Sequence, residues 1–450
     1  MSVVSAFLLP HSREIISASD DEQISLIRGK YEEIADRIAE LKPDTIVVIS
    51  AHSEAYSDYF QIIEGEFSQS TFAKGEKNEF TVNIKYDKDL IKRICTIAKD
   101  SLFPAGSEGN QDRTLDHGAL VPLKFIQEKY SDFEVVRCSV SGLSLAEHYR
   151  FGTIIQRATN ESKKKVIVIA SGNLSHIEET KGNNDYDEVL KKDLSNASFG
   201  ALLEYDKAFL DKSKQCSHRV LSILAGCLDK TNVDTRLIHF STYKNTGLCI
   251  SEFVLGAKNE SRSFLSLYLN KERLNAATRI QNEDEFAKLA HEAIESHITY
   301  GRRISVPSDI SSSLLLSSAG VFVSIYKFGQ LRGCIGTINP QEANLAEEII
   351  SNAIAAATKD RRFPEVSVDE FPYLYIYVDV LNQPELVKDK SLLNPDEYGI
   401  IVSKGSKRGV LLPGAIGIDS VDMQINIAKR KASIGLDEEA VIERFTINRH

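Results

Sequence analysis

Three of the ten histidines directly follow apolar runs that read as β-strands: His11 in Leu8-Leu9-Pro10-His11, His52 in Ser50-Ala51-His52, and His176 at the end of VIVIASGNLSH. Imidazole is the commonest metal-ligating side chain and titrates near neutrality, so such residues can hold an ion or move a proton. In open parallel sheets, ligands bind in the crevice beyond the carboxyl ends of the strands, the edge to which all three would be delivered. Taken singly, each reads as a hydrogen-bonded loop residue. Their coincidence points His11 and His52 toward one shared ion. His117, in Thr114-Leu115-Asp116-His117-Gly118, opens an apolar helical run and also fits a capping region. His148, His239, His291, His297 and His450 fall on helical or peripheral patterns and carry no chemistry in this reading.

The elements that must position these residues follow from periodicity. Val3–Leu9, Thr45–Ala51, Glu134–Val140, Val166–Ala170 and Thr246–Leu255 are mainly apolar and rich in β-branched residues rather than alternating, the mark of strands covered on both faces. Helical patterns between them, such as Glu22–Leu41, imply parallel β-α-β connections. Residues 1–256 therefore predict a doubly wound α/β domain with a mainly parallel sheet. Residues 257–283 break the rhythm and read as a connector with some helical content. Residues 284–450 predict a separate α+β domain. Its helices are Glu285–Thr299 and Ala343–Lys359, and its strand Tyr373–Leu381 alternates like a half-buried one. Hairpins join Val321–Tyr326 to Leu331–Ile338 and Ile400–Ser403 to Gly409–Leu412.

A chain of 450 residues suits two or three domains, and 42% apolar with 26% charged residues is ordinary for a globular protein. The net charge of −10 favours neither nucleic acid nor an anionic membrane surface. Lys163-Lys164-Lys165 reads as a solvated turn before a strand. No apolar run approaches the roughly 20 residues of a membrane span, and the apolar N-terminal stretch has no basic residues before it. Six scattered cysteines without a C-x-x-C pair read as reduced thiols, hence a cytoplasmic location. A homo-oligomer stays open.

Pro10-His11, Ser50-Ala51-His52, Leu115-Asp116-His117-Gly118 with Val121-Pro122-Leu123, and Gly172-Asn173-Leu174-Ser175-His176 together resemble the class III extradiol ring-cleavage dioxygenases. These form the LigB-type superfamily, which includes the Memo-like proteins. The resemblance covers about residues 3–256. It implies that His11 and His52 are metal ligands, that His176 is the acid/base histidine, and that His117 is a supporting or substrate-facing group. It also implies a third ligand near the start of a later helix. Lys214-Gln215-Cys216-Ser217-His218-Arg219 is the best match, with His218 the first choice and Cys216 the second; Glu252 is a weaker carboxylate candidate. Two histidines and a carboxylate suit Fe(II), with positions open for dioxygen and a catechol-like substrate. His218 would make the site one charge more positive, and Cys216 would suit Zn(II) or copper.

In the C-terminal part, Leu331-Arg332-Gly333-Cys334-Ile335-Gly336, Asp360-Arg361-Arg362-Phe363-Pro364 and Gly405-Ser406-Lys407-Arg408-Gly409 resemble the AMMECR-type domain. Arg332, Arg361, Arg362 and Arg408 are candidates for an anion cluster. Their plain alternative is pairing with Asp360, Glu365 and other acids. Cys334 reads as a small buried hydrophobe rather than a nucleophile. The fusion resembles the AmmeMemoRadiSam system and implies a radical-SAM partner, which must be a separate polypeptide because this chain has no cysteine triad for an iron–sulfur cluster. Two functions follow as expectations. One is an Fe(II) extradiol-dioxygenase-like oxidoreductase acting on a small catechol- or aminophenol-like aromatic. The other is a metal-binding component of such a system without ring cleavage.

Overall fold

Helix α1, Glu22–Leu41, shows how local sequence sets an element. The Asp21 carboxylate accepts from the Gln23 and Ile24 N–H groups and caps the first turn; Lys42 ends the helix in a left-handed conformation. Ile24, Ile27, Tyr31, Ile34, Ala35 and Ile38 recur at three- and four-residue spacing, and all are buried. One stripe of the helix faces the core. The computed structural model describes residues 3–17, 20–73, 79–176, 185–415, 418 and 420–450. The chain divides into two units, Met1–Tyr268 and Leu269–His450, and the division falls inside a helix over Phe264–Gln281.

In the first unit the strands are β1 Val3–Leu9, β2 Thr45–Ser50, β3 Phe60–Ile63, β4 Phe67–Phe72, β5 Phe80–Lys85, β6 Ala105–Gly106, β7 Glu134–Ser139, β8 Val166–Ser171, β9 Thr231–Tyr243 and β10 Thr246–Lys258. The further helices are α2 Lys88–Asp100, α3 His117–Lys129, α4 Leu145–Ser162, α5 Asp185–Ser195, α6 Lys207–Ser213 and α7 Ser217–Cys227. Eight strands form one sheet in the order β6-β3-β7-β2-β8-β1-β10-β9, and β4 pairs separately with β5. At its centre β7, β2, β8 and β1 run parallel, and every residue of β2 and β8 is buried, as their uniformly apolar sequence requires.

The first unit departs from the sequence expectation in three places. Thr246–Lys258 is antiparallel to β1, not parallel, because it returns from β9 through a two-residue turn. Lys244 and Asn245 in that turn both have positive φ, as such a hairpin demands. β9 itself escapes the periodicity reading because it is half exposed and mixes polar with apolar residues; His239 lies on it, at the periphery of the sheet. Lys164 is not simply solvated, for its ammonium pairs with the buried Asp87 carboxylate (2.8 Å) and with Glu134 (3.0 Å).

The second unit holds two four-stranded antiparallel sheets. One has the order Gln330–Gly336, Val321–Lys327, Leu374–Leu381, Ile447–Arg449; the other Glu385–Leu386, Val441–Phe445, Gly399–Lys404, Lys407–Leu411. Helices Glu285–Tyr300 and Leu345–Thr358 supply the apolar layer of the first, and Val421–Lys431 that of the second. Gly333 has no Cβ to collide with the Ala356 carbonyl, so the small-residue face of the middle helix seats directly on the strand. Among the described residues no helix is long and apolar enough to cross a membrane.

Candidate metal centre

Strand β8 lies between β1 and β2, and the three end in register at Leu9, Ser171 and Ser50. His11 and His52 each follow two residues later. One intervening strand puts their backbones roughly 10 Å apart, twice the spacing of neighbouring strands. The rings close that gap, with the two Nε2 atoms 2.9 Å apart. His11 is 1% exposed; its backbone N–H donates to Asn173 Oδ1 (3.0 Å) and its Nδ1 lies 3.0 Å from Ser171 Oγ, so Nε2 faces the shared space. His52 is exposed, and its backbone N–H donates to Ser50 Oγ.

The third donor arrives on α7. A Cβ at Gly172 would lie 2.6 Å from Ser217 Cα, so glycine lets the start of the helix seat against the end of β8. Cys216, at the N-cap, then brings its Sγ to 3.4 Å from His11 Nε2. The Asn173 N–H donates to that sulfur (3.2 Å), and the thiol points back to the Asn173 carbonyl (3.5 Å). Donor atoms of His11, His52 and Cys216 all lie within 4.8 Å of one another. Metal bonds of about 2.0–2.1 Å to nitrogen and about 2.3 Å to sulfur separate tetrahedral ligand atoms by roughly 3.3–3.6 Å. Separations of 2.9 and 3.4 Å are within a few tenths of that, and the donor set fits one ion.

Cys216, not the expected His218, is the donor that reaches His11 and His52. Residues two apart on a helix point about 200° apart, so with Cys216 at the sheet edge His218 turns into the core. There it is fully buried. Its Nε2 lies 2.8 Å from the Leu202 carbonyl, its Nδ1 3.3 Å from the Tyr186 hydroxyl, and its ring 4.5 Å from that of Tyr205. Glu252 is also elsewhere: Arg37 and Arg236 each hold its carboxylate at 3.2 Å, and Ser5 donates to it.

His117 is the first residue of α3, and its ring centroid lies 4.0 Å from that of His52 and 5.0 Å from that of His11. His176 places Nδ1 3.0 Å from the Lys214 carbonyl; in the neutral ring Nδ1 is then the donor and Nε2 the acceptor. Burial, then the neighbouring His52 and His117, hold His11 far below its usual range, with Asp116 opposing. Although His52 is exposed as a residue, partial desolvation of its ring lowers it as well, and burial brings His117 to about 4. The three rings are thus neutral at pH 7, the state that binds metal. Burial pushes the Cys216 thiol up to about 11, partly offset by the Asn173 N–H. Burial would also raise Asp116, but Ser50, Arg137 and Ser53 outweigh it and keep the carboxylate ionised. Asp116 and Asn173 brace the cluster by hydrogen bonds, Asn173 to His11 and Cys216 and Asp116 to Ser50 and Ser53, and neither stands out in the sequence beyond its motif. Their signals are an aspartate before a helix start and an asparagine after a strand.

The arginines of the second unit are largely spoken for. Arg332 forms a two-pronged pair with Glu370 (2.9 and 2.8 Å) and donates to the Pro364 and Glu365 carbonyls. Arg362 pairs with Asp360 and Arg408 with Glu443 (3.4 Å), while Arg361 is exposed. Cys334 is half-buried; its N–H donates to Asp360 and its sulfur accepts from Ser324, and burial raises its thiol. Paired acids, rather than a free anion cluster, account for Arg332, Arg362 and Arg408.

Two imidazoles and a thiol at the carboxyl edge of a doubly wound sheet define a metal-binding α/β protein with an appended α+β unit. The chain belongs to the family described as the catalytic LigB subunit of aromatic ring-opening dioxygenase, whose model matches residues 5–250, and the AMMECR1 family matches residues 287–450. Its whole length is similar to protein CA_C1420 of Clostridium acetobutylicum, 31% identical over 468 residues that cover 100% of this chain and 99% of that one. A protein of Thermotoga maritima is 47% identical over 170 residues, covering 37% of this chain and 98% of its own. Among solved structures, protein PH0010 of Pyrococcus horikoshii is 32% identical with a TM-score of 0.34, over 36% of this chain and 88% of that one. Protein JW3007 of Escherichia coli K12 is 15% identical with a TM-score of 0.40, over 55% and 99%.

Proposed function

We propose that the first unit is a metal-dependent oxidoreductase acting with dioxygen on a small catechol- or aminophenol-like aromatic. The observation that carries this reading is the convergence of His11 Nε2, His52 Nε2 and Cys216 Sγ within 4.8 Å, in a chain of the LigB family. These three side chains would hold the ion. When bound, the ion supplies Lewis acidity toward ring hydroxyls and an electron path to dioxygen. Fe(II) suits oxygen activation, whereas the Cys216 thiolate adds affinity for Zn(II) and Cu(I). His176 is the acid/base residue: with Nδ1–H held by the Lys214 carbonyl, Nε2 can take a phenolic proton and return it. His117, neutral and half-buried beside His52, orients the substrate by hydrogen bonding.

Anaerobic loading with Fe(II), Zn(II) and Cu(I) in turn, followed by oxygen-electrode measurements with catechols and aminophenols, tests the reading. Oxygen uptake is expected with at least one pairing, abolished in His52→Ala and slowed about 100-fold or more in His176→Ala. Stoichiometric loading without uptake across the panel would overturn it.

A second reading rests on the thiol standing where an oxygenase of this type uses a carboxylate. In it the unit binds metal without ring cleavage, as a component of an AmmeMemoRadiSam-type system beside a separate radical-SAM protein. Metal loading without oxygen uptake, together with complex formation with such a partner, is its distinguishing outcome.

A further inference from the structure

The segment that carries His52 has no regular structure of its own, since β2 ends at Ser50 and the next strand begins at Phe60. His52 is exposed. Something else must fix its ring beside His11. Asp116 is placed to do so. Its Oδ1 accepts from Ser50 Oγ (2.6 Å) and from the N–H groups of Gly118 (2.8 Å) and Ala119 (3.3 Å); its Oδ2 accepts from Ser53 Oγ (2.8 Å) and Arg137 Nη2 (3.2 Å). Ser50 and Ser53 bracket His52, and Ser50 Oγ also accepts the His52 N–H (3.1 Å). Gly118 and Ala119 follow His117 in the first turn of α3. One carboxylate therefore binds both flanks of His52 and the helix start that bears His117.

The contact is close-fitting and backed from behind. A Cβ at Gly118 would collide with Ser50 Oγ, so glycine at that position lets the two segments meet. Arg137, with a side chain 3% exposed, is itself locked by the Tyr86 hydroxyl (3.0 Å) and by the Arg113 (3.4 Å) and Thr114 (3.1 Å) carbonyls. Charge-assisted hydrogen bonds to an ionised carboxylate are the strong kind, and partners that orient metal ligands govern affinity without touching the ion.

We infer that Asp116, backed by Arg137, is a positioning residue that holds His52 and His117 in one fixed arrangement at the metal centre. The inference rests on the reading of His11, His52 and Cys216 as metal ligands. It differs from an ordinary helix cap in one respect: among the described residues the hydrogen bond of the Ser53 hydroxyl runs to Asp116, which links it to the metal site.

The test uses the full chain, stripped of metal and titrated anaerobically with Co(II), whose thiolate charge-transfer and visible bands report both affinity and geometry. Native protein is expected to bind one Co(II), and Cys216→Ala and His52→Ala to lose it. Asp116→Asn is expected to weaken binding about 100-fold and shift the visible bands, and Ser53→Ala to weaken it about tenfold with an unchanged Tm of the metal-free protein. Ser53→Thr, which keeps the hydroxyl, should restore native affinity. In the Asp116→Asn background, Ser53→Ala should have no further effect, since residues acting through one another are not additive. Native binding with native spectra in both single variants, or effects that multiply in the double variant, would overturn the inference while leaving the ligand assignment intact. Absence of Co(II) binding by native protein, or native binding by Cys216→Ala, would instead sink the ligand assignment and this inference with it. Should Asp116→Asn fail to fold, the Ser53→Ala and Ser53→Thr pair decides: equal affinity in the two overturns the inference.

Discussion

Gly172 and Ser217 pack so closely that a Cβ on Gly172 would lie 2.6 Å from Ser217 Cα. The contact joins the end of β8 to the start of α7, and it decides which face of α7 meets the metal centre. Gly172 does not occupy the left-handed region, so its role is spatial rather than a matter of backbone freedom.

Gly172→Ala is therefore expected to push α7 outward and carry Cys216 Sγ away from His11 Nε2. Overpacking of this kind costs about 1–3 kcal/mol, and a displaced donor lowers metal affinity about tenfold or more. Thermal unfolding and a Co(II) titration check the two effects. Native affinity in the variant would show that the helix start yields to the methyl group without moving the sulfur.

Cys216 and His218 should separate cleanly. Cys216→Ala removes a donor and is expected to lose metal with little change in the stability of the metal-free protein. His218→Ala opens a cavity and takes a buried partner from the Leu202 carbonyl, while the Tyr186 hydroxyl keeps Ser217, a loss of about 2–4 kcal/mol with metal content staying native. Elemental analysis beside denaturant unfolding measures both. Metal loss in His218→Ala under conditions where the variant is folded would reinstate that histidine at the centre.

This pair marks where the sequence stops being readable. His11 and His52 are legible because parallel strands announce themselves as uniformly apolar runs, and residues just past such runs share one edge whatever the rest of the fold does. Cys216 against His218 is a question of helix rotation, settled by a packing contact with Gly172 that no local pattern reveals. Strand β9 hides for a different reason: at the edge of the sheet only part of each face is covered, and the apolar signal fades. The arginines of the second unit read as an anion site or as paired residues with equal ease. Only the fold brings Glu370 under Arg332.

That pair gives the second unit a defined acid response. Burial would raise the Glu370 carboxyl, but Arg332 and Lys327 outweigh burial and bring it to about 2. A depressed carboxyl stabilises the fold in full above its unfolded value of 4.5, and the contribution disappears as pH falls through about 2. The difference corresponds to about 3 kcal/mol. Glutamine keeps one acceptor oxygen but must turn an NH2 group toward donors, either Lys327 Nζ and Arg332 Nε or Arg332 Nη2 and the Ser367 N–H. Glu370→Gln should accordingly unfold at lower denaturant at pH 7. The gap from native protein should hold down to about pH 5 and narrow as pH falls toward 3. Far-UV circular dichroism melts in urea across that range measure it, and a gap that stays constant from pH 7 to pH 3 would mean that the carboxylate charge contributes nothing beyond its shape.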